Sequence, residues 1–383
     1  MVTGELQGIV QAGFEQIEAV FSDGFNQGRE VGAALTVLRE GEVLIDLVGG
    51  HTNRARSALW QPDTLVCCFS ISKAISSMCV LRAVDAGHLA LDALVTRYWP
   101  EFGQVGKGEV TVRDLLSHQA GVPGFHEPVD REFYYRWDEV CRRLAEESPW
   151  WPPGTAHGYH ARTLGFLLGE LLHRASGRTI DKWLRDMAEQ VSADLHFGLS
   201  TPDQARCADM LPAKVRPGDT QNWSQAMRRM AADFGDPSTV TGATFQNPAM
   251  RAGYMNTPEF RSALIPAING HGTSRGIATL FAALPQLLHA ETLVEAGQTQ
   301  VHGPDEVLKS KTRFGLGFML YEEESPIGWP GCMGHAGAGG SVAFYDPKTK
   351  VAFAFVMNQM QEGVVTGGTT AQTCIDALKA ALT

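Results

Sequence analysis

The sequence predicts an α+β fold in which both ends of the chain build one sheet-containing domain and a mainly helical domain is inserted between them. Three observations carry this reading. Two apolar runs flank a glycine-containing turn within residues 33–48. A second pair of runs occupies residues 341–357. Between the two pairs, apolar residues recur mostly at helical spacing.

Residues 5–28 place Ile9, Phe14, Ile17, Val20 and Phe21 on a helical period, which predicts an amphipathic helix. Residues 33–38 and 43–48 then form a β-hairpin around Glu40-Gly41. Residues 70–86 read as a helix, with Ile71, Ile75, Met78 and Cys79 on one face and Gly87 as its stop. Thr111-Val112-Arg113-Asp114 has the form of a capping box ahead of a further helix. A Pro/Trp turn from Pro149 to Gly154 leads to a stripe of Leu164, Leu167, Leu168, Leu171 and Leu172. Gly165 and Gly169 on that helix permit close packing. Residues 196–260 are rich in Pro, Asn, Asp and Gly and predict loops with short helices. Residues 276–288 predict a helix and 314–320 a strand. A hairpin over 341–345 and 350–357 turns at Asp346-Pro347-Lys348, and residues 369–382 form a closing helix.

The 383 residues are 44% hydrophobic and 19% charged, which excludes a disordered chain. The net charge is −10 and no basic stripe is visible, which argues against nucleic-acid binding. The densest apolar run, Val351 to Met357, has strand length and falls far short of the ~18 residues of a membrane span. The opening residues lack a basic segment followed by an apolar one, so a cytoplasmic location is expected. The seven cysteines include no CxxC, and Cys67 and Cys68 are adjacent, which suits reduced thiols. The twelve histidines are dispersed, with no HExxH and no zinc spacing, so no metal is expected. Fingerprints for dinucleotides or nucleoside triphosphates are absent, and no cofactor is expected.

Three segments have residues suited to chemistry. Ser70-Ile71-Ser72-Lys73 is the one Ser-x-x-Lys in the chain. On a helix, positions i and i+3 share a face, so Lys73 can reach the Ser70 hydroxyl. A serine attacks only if a base takes its proton, and a lysine with a lowered pKa can do so. Taken alone, the tetrapeptide also suits an N-cap serine with a surface lysine one turn on. Lys73 nevertheless sits in an otherwise apolar stretch from Leu65 to Leu81. Tyr159-His160-Ala161 could bring a phenol beside that pair, or simply cover the core. Gly334 to Gly340, with His335, Ala336 and Ala338, leads into a strand and could offer a backbone N–H to an anion, or could be a loop with a solvated histidine.

In this order and spacing the three segments resemble the serine β-lactamase-like superfamily, most closely the class C β-lactamase-like family VIII carboxylesterases. Thr111 to Pro123, Pro153-Gly154-Thr155, Gly158 to Ala161, Asn269 to Thr273 and Gly334 to Ser341 strengthen the match. The resemblance implies a β-lactamase/transpeptidase-like fold, with an antiparallel sheet flanked by the N- and C-terminal helices. It divides the chain into a sheet domain of 1–68 plus 270–383 and a helical domain of 69–269, with a cleft between them. It implies that Ser70 is the nucleophile, Lys73 its base and Tyr159 a proton carrier. The backbone N–H groups of Ser70 and Ala338 would form the oxyanion hole, and His335, Ala336 and Gly337 would line the substrate groove.

Two departures bear on substrate. Ala161 stands where β-lactamases and penicillin-binding enzymes usually carry Asn, and it cannot bond a substrate amide. His335 stands where they usually carry Lys, so a drug carboxylate loses its cation. Both favour a carboxylesterase acting on a small-molecule ester. Two alternatives share the scaffold: an acyltransferase, β-lactamase or amidase using the same acyl-enzyme, and a non-catalytic ligand-binding homologue. Gly272-Thr273-Ser274-Arg275-Gly276 fits the Gly-x-Ser-x-Gly of α/β-hydrolases, but Pro266 spoils the strand a nucleophile elbow needs. Ser274 is expected to be a turn or N-cap residue. Trp150, Trp151 and Trp329 suit either the groove or the core.

Overall fold

The computed structural model describes residues 6–214, 225–251, 253–323, 327–361 and 368–383. Twelve strands occur among them: β1 (Gln7–Val10), β2 (Gly32–Arg39), β3 (Glu42–Gly50), β4 (Val66–Cys67), β5 (Leu195–Phe197) and β6 (Gly270–Gly272), then β7 (Val301–Pro304), β8 (Lys311–Phe314), β9 (Met319–Leu320), β10 (Met333–Ala336), β11 (Val342–Asp346) and β12 (Val351–Met357). Nine make one antiparallel sheet in the order β1-β3-β2-β12-β11-β10-β9-β8-β7. The seam between the two chain ends is β2 against β12, from Arg39↔Val351 to Ala33↔Met357.

Five helices frame the site: α1 (Glu15–Asn26), α2 (Ile71–Asp85), α3 (Thr163–Ser176), α4 (Ser274–Ala282) and α5 (Thr369–Ala381). Every residue of β12 is buried, as its unbroken VAFAFVM run requires of a strand covered on both faces. Phe355 meets Phe21 of α1 edge-to-face at 6.2 Å, and α1 packs on α5. The opposite face carries α4, where the Ser274 hydroxyl lies 2.9 Å from that of Thr36 on β2. Thr36 pairs with Ala354 and Leu35 with Phe355, so the two helical layers follow from strand alternation.

Helix α2 is buried around its whole circumference from Ile71 to Leu81, packing on α3 and β10. Its start is pinned by the small sheet β4-β6-β5. The Cys68 N–H donates to Gly270 O at 2.9 Å, and the Gly270 N–H donates to the Ser72 hydroxyl at 2.9 Å.

Several expectations hold. The 33–48 hairpin turns at Glu40 and Gly41, both with positive φ. Thr111 and Asp114 form a reciprocal capping box. Gly87 has φ +77 just past α2.

Four expectations need correction. Residues 7–10 form an edge strand, not the start of a helix; any Cβ on Gly8 would overlap the Asp46 carbonyl of β3. The periodicity there merged two elements. The expected strand 314–320 is two short strands, because the chain breaks at Gly317 (φ +79) where it crosses Ser77 of α2 too closely for any side chain. The expected helix 276–288 begins earlier, at Ser274, and breaks at Ala283, with Pro285 opening a second short helix. Residues 334–336, read as part of a glycine-rich segment leading into the 341–345 strand, themselves belong to a strand. Part of the expected 196–260 loop region, residues 215–224 and 252, lies outside the described residues. Among those that are described, no helix is long and apolar enough to cross a membrane.

Gly165 of α3 lies against the main chain of Pro266 and Ala267, and a Cβ there would overlap the Ala267 nitrogen. Gly165→Ala is therefore expected to destabilise the protein by about 1–3 kcal/mol, read as a fall in the urea midpoint. A wild-type midpoint would show that the helix can move away.

Candidate active site

Phe69, the residue before Ser70, has φ +45, an uncommon backbone state for a bulky side chain. It is held there by a bridge to Asn269. Asn269 in turn closes its own loop, donating to Phe260 O (3.0 Å) and Ala263 O (2.7 Å) and accepting from the Ile265 N–H. The kink sets Ser70 at the N-terminus of α2, with 6% of its surface exposed.

Lys73 lies one turn on and is fully buried. Its Nζ is 3.0 Å from Ser70 Oγ, 2.7 Å from Ala161 O and 3.0 Å from Ala267 O. It makes no ion pair among the described residues. Burial alone holds its pKa well below the usual lysine value, which favours the neutral amine. A neutral amine has two N–H donors, and two of its three neighbours are carbonyls that can only accept. Its lone pair is left for the Ser70 hydroxyl.

The Lys73 Nζ also lies 4.6 Å above the Tyr159 ring. That ring stacks on Phe314 (6.4 Å, 13°) and touches His118 and His335 at 5.3 and 5.9 Å. The Tyr159 hydroxyl is buried without a hydrogen-bond partner. Burial pushes its pKa up, and the neighbouring Ser70 hydroxyl opposes that rise. Nearby, the His160 N–H donates to His118 Nδ1 at 3.1 Å, and His160 Nε2 accepts from the Val122 N–H at 3.1 Å.

The third segment meets the other two through β10 and the loop after it. Any Cβ on Gly337 would overlap the Ser341 hydroxyl and crowd the Cys68 carbonyl at 2.5 Å, so the 337–341 loop presses against the start of α2. Ala338 is half-buried, and neither its N–H nor that of Ser70 has a backbone acceptor among the described residues. His335, Ala336 and Gly337 are themselves buried. The His335 ring donates from Nδ1 to Ala336 O at 2.7 Å, faces Tyr159, and leaves Nε2 without a partner.

The site therefore gathers Ser70, Lys73, Tyr159, His335 and the 337–341 loop. Sequence reasoning missed His118, Phe314 and the Ala161 and Ala267 carbonyls as parts of it. Only His118 had a signal, since it lies within the Thr111 to Pro123 string. Ser274 stands apart from this cluster, its hydroxyl against Thr36. It is the first helical residue, and the cap is Thr273, which accepts from the Gly276 N–H. Trp329 belongs to the core, donating to Asp346 at 2.9 Å. Trp150 stacks on His126, and Trp151 packs beside His160. All seven cysteines are free. No cluster of His, Cys, Asp or Glu able to hold a metal occurs among the described residues.

Comparison with known proteins shows the family and the fold. The family model described as Beta-lactamase matches residues 14–373. The chain is 30% identical to "Esterase/beta-lactamase LipL" of Mycobacterium tuberculosis, covering 92% of this chain and 82% of that protein. A crystal structure of a family VIII carboxylesterase superposes with a TM-score of 0.88 at 32% identity, covering 98% of this chain and 100% of that one. A penicillin-binding protein homologue from Caulobacter crescentus gives a TM-score of 0.88 at 34% identity over the same shares.

Burial has a consequence for stability. It pushes His160 and His335 down to about 3 from 6.5. The unfolded chain takes up these protons from about pH 6.5, and the folded chain does not until about pH 3. Their contribution is thus complete above 6.5 and is lost as pH falls through that window, by up to about 1.4 kcal/mol per pH unit for each imidazole. His335→Gln should flatten the pH dependence of urea unfolding between pH 4.5 and 6.5 by one proton. An unchanged slope would place the His335 titration elsewhere.

Proposed function

Because the chain belongs to the Beta-lactamase family, we propose that it is a serine hydrolase cleaving small carboxylic esters through an acyl-Ser70 intermediate. The observation that carries this is the Lys73 amine, 3.0 Å from Ser70 Oγ, with its other two hydrogen bonds on carbonyls. Lys73 takes the Ser70 proton as Oγ attacks the ester carbonyl. The N–H groups of Ser70 and Ala338 stabilise the tetrahedral oxyanion. As the ester C–O bond breaks, the proton passes from Lys73 by way of Tyr159 to the departing alkoxide. Water then attacks the acyl carbonyl and gives a proton through the same groups to Ser70 Oγ as the Oγ–acyl bond breaks, which releases the carboxylic acid and restores the Ser70 hydroxyl. Substrate reaches Ser70 from a cleft between the sheet domain (1–68 and 270–383) and the helical domain (69–269). His335, Ala336 and Gly337 shape the floor of that cleft.

Esters are favoured over acyl-amides on two grounds. Ala161 contributes only its carbonyl, already engaged by Lys73. His335 is held neutral, so no cation stands there to pair with a substrate carboxylate.

Ser70→Ala should lower hydrolysis of a short-chain p-nitrophenyl ester by at least about 10³-fold, while Ser274→Ala retains it. Equal loss in both variants would sink the assignment. Lys73→Arg puts a permanent cation in place of the neutral amine and cannot accept the Ser70 proton, so activity should fall comparably. Retained turnover in Lys73→Arg would mean that charge, and not proton transfer, is what the position supplies. Rapid turnover of a chromogenic cephalosporin by the wild type would count against ester preference.

A further inference from the structure

Tyr159 lacks a hydrogen bond at its hydroxyl, so its position depends on ring packing and on its main chain. The main-chain N–H donates to Asp305 Oδ1 at 3.1 Å. The same oxygen accepts the N–H groups of Val307 and Leu308 at 2.9 and 2.8 Å. The other oxygen, Oδ2, accepts from the Thr312 hydroxyl at 3.2 Å. Thr312 Oγ1 lies 2.9 Å from His157 Nε2. A carboxylate only accepts, so Thr312 gives its proton to Asp305 and receives one from His157 Nε2–H. The Glu306 N–H donates to His157 O at 3.0 Å, adding a backbone bridge between the two segments. Asp305 is 2% exposed.

An aspartate closing its own turn would need only the Val307 and Leu308 donors. The bond to Tyr159 falls outside that turn and reaches across to the other segment, and Thr312, held by Oδ2, reaches it through His157. Thr312 and Phe314 share a face of β8, and Phe314 is the ring stacked on Tyr159. One loop and the strand after it thus hold the Tyr159 main chain, the His157 side chain two residues earlier, and one wall of the phenol.

We propose that Asp305 is a positioning residue for ester hydrolysis, its carboxylate fixing the Tyr159 main chain so that the phenol oxygen stays beside Ser70 and Lys73. This rests on the reading of Tyr159 as the proton carrier. Asp305 touches neither substrate nor the reacting atoms.

The test uses purified full chain and a short-chain p-nitrophenyl ester, with Asp305→Ala and Asp305→Asn each made alone and in a Tyr159→Phe background. Asp305→Ala should lower kcat by about tenfold to a hundredfold with KM little changed, the scale of a displaced catalytic group. Asp305→Asn keeps an oxygen for the Tyr159 N–H and should recover most of that loss. In the Tyr159→Phe background Asp305→Ala should cost little more. A wild-type kcat in Asp305→Ala, or a loss undiminished in the Tyr159→Phe background, overturns the proposal alone. A wild-type kcat in Tyr159→Phe overturns the reading of Tyr159 and this proposal with it. Should Asp305→Ala fail to fold, Thr312→Val removes only the hydroxyl on Oδ2. A fall in kcat of several-fold that disappears in the Tyr159→Phe background then supports the proposal, and a wild-type kcat overturns it.

Discussion

A lysine amine sealed in the interior without a counter-ion is the constraint around which this molecule is organised. Placing an ammonium at Lys73 would cost several kcal/mol, because no carboxylate among the described residues pairs with it to offset its desolvation. The protein instead surrounds the nitrogen with two carbonyls, a hydroxyl and an aromatic face. Apart from the Ser70 hydroxyl, the partners come from the 159–161 segment and the loop that carries Ala267. Ala161 precedes α3, Ala267 sits in the loop that Asn269 closes, and Tyr159 lies under Phe314 of β8. The glycine at 165 matters for the same reason, since it lets α3 lie against the loop that presents Ala267.

The close approaches around that nitrogen explain where the fold departs from regular geometry. Phe69 takes a positive φ to turn a strand into α2 at the nucleophile. Gly317 interrupts a would-be strand so that it can cross Ser77. Gly337 lets the loop carrying Ala338 reach Cys68. Local strain and missing side chains concentrate where backbones must meet, which is the usual pattern at a functional site.

The sequence made the Ser70–Lys73 pair legible because one helical turn puts both on a common face, and the apolar run around them marked the lysine as unusual. The hairpins at 33–48 and 341–357 and helices α3 and α5 were legible from period alone. Tyr159, His335 and Ala338 were candidates with equally ordinary readings, and they gained definite roles only by resemblance to a family, since a lone tyrosine or a glycine-rich stretch carries no chemistry in its spacing. The Ala161 and Ala267 carbonyls were not legible at all, because a backbone acceptor leaves no mark on residue identity. Asp305 was hidden for a related reason: its four donors include three main-chain N–H groups. Strand β1 was missed because it is four residues long and mostly exposed, with Ile9 57% accessible on an edge, so its apolar residues were absorbed into the helical period that follows. Trp329 is a core residue because Asp346 satisfies its indole, a pairing that only the folded hairpin creates.

The seam between β2 and β12 has a consequence for how the chain comes into being. The Gly32 N–H bonds to the Asn358 side chain, 326 positions later. At the pace of a translating ribosome, about 5–20 residues per second, the first hairpin waits roughly 16 to 65 s for its neighbour. During that interval one long edge of β2 has no strand to pair with, and the apolar residues meant to lie beneath β12 face water. Birth of the protein is therefore governed by its last-made strand. Until β12 emerges, that unpaired edge of β2 is the part of the nascent chain most open to wrong pairing.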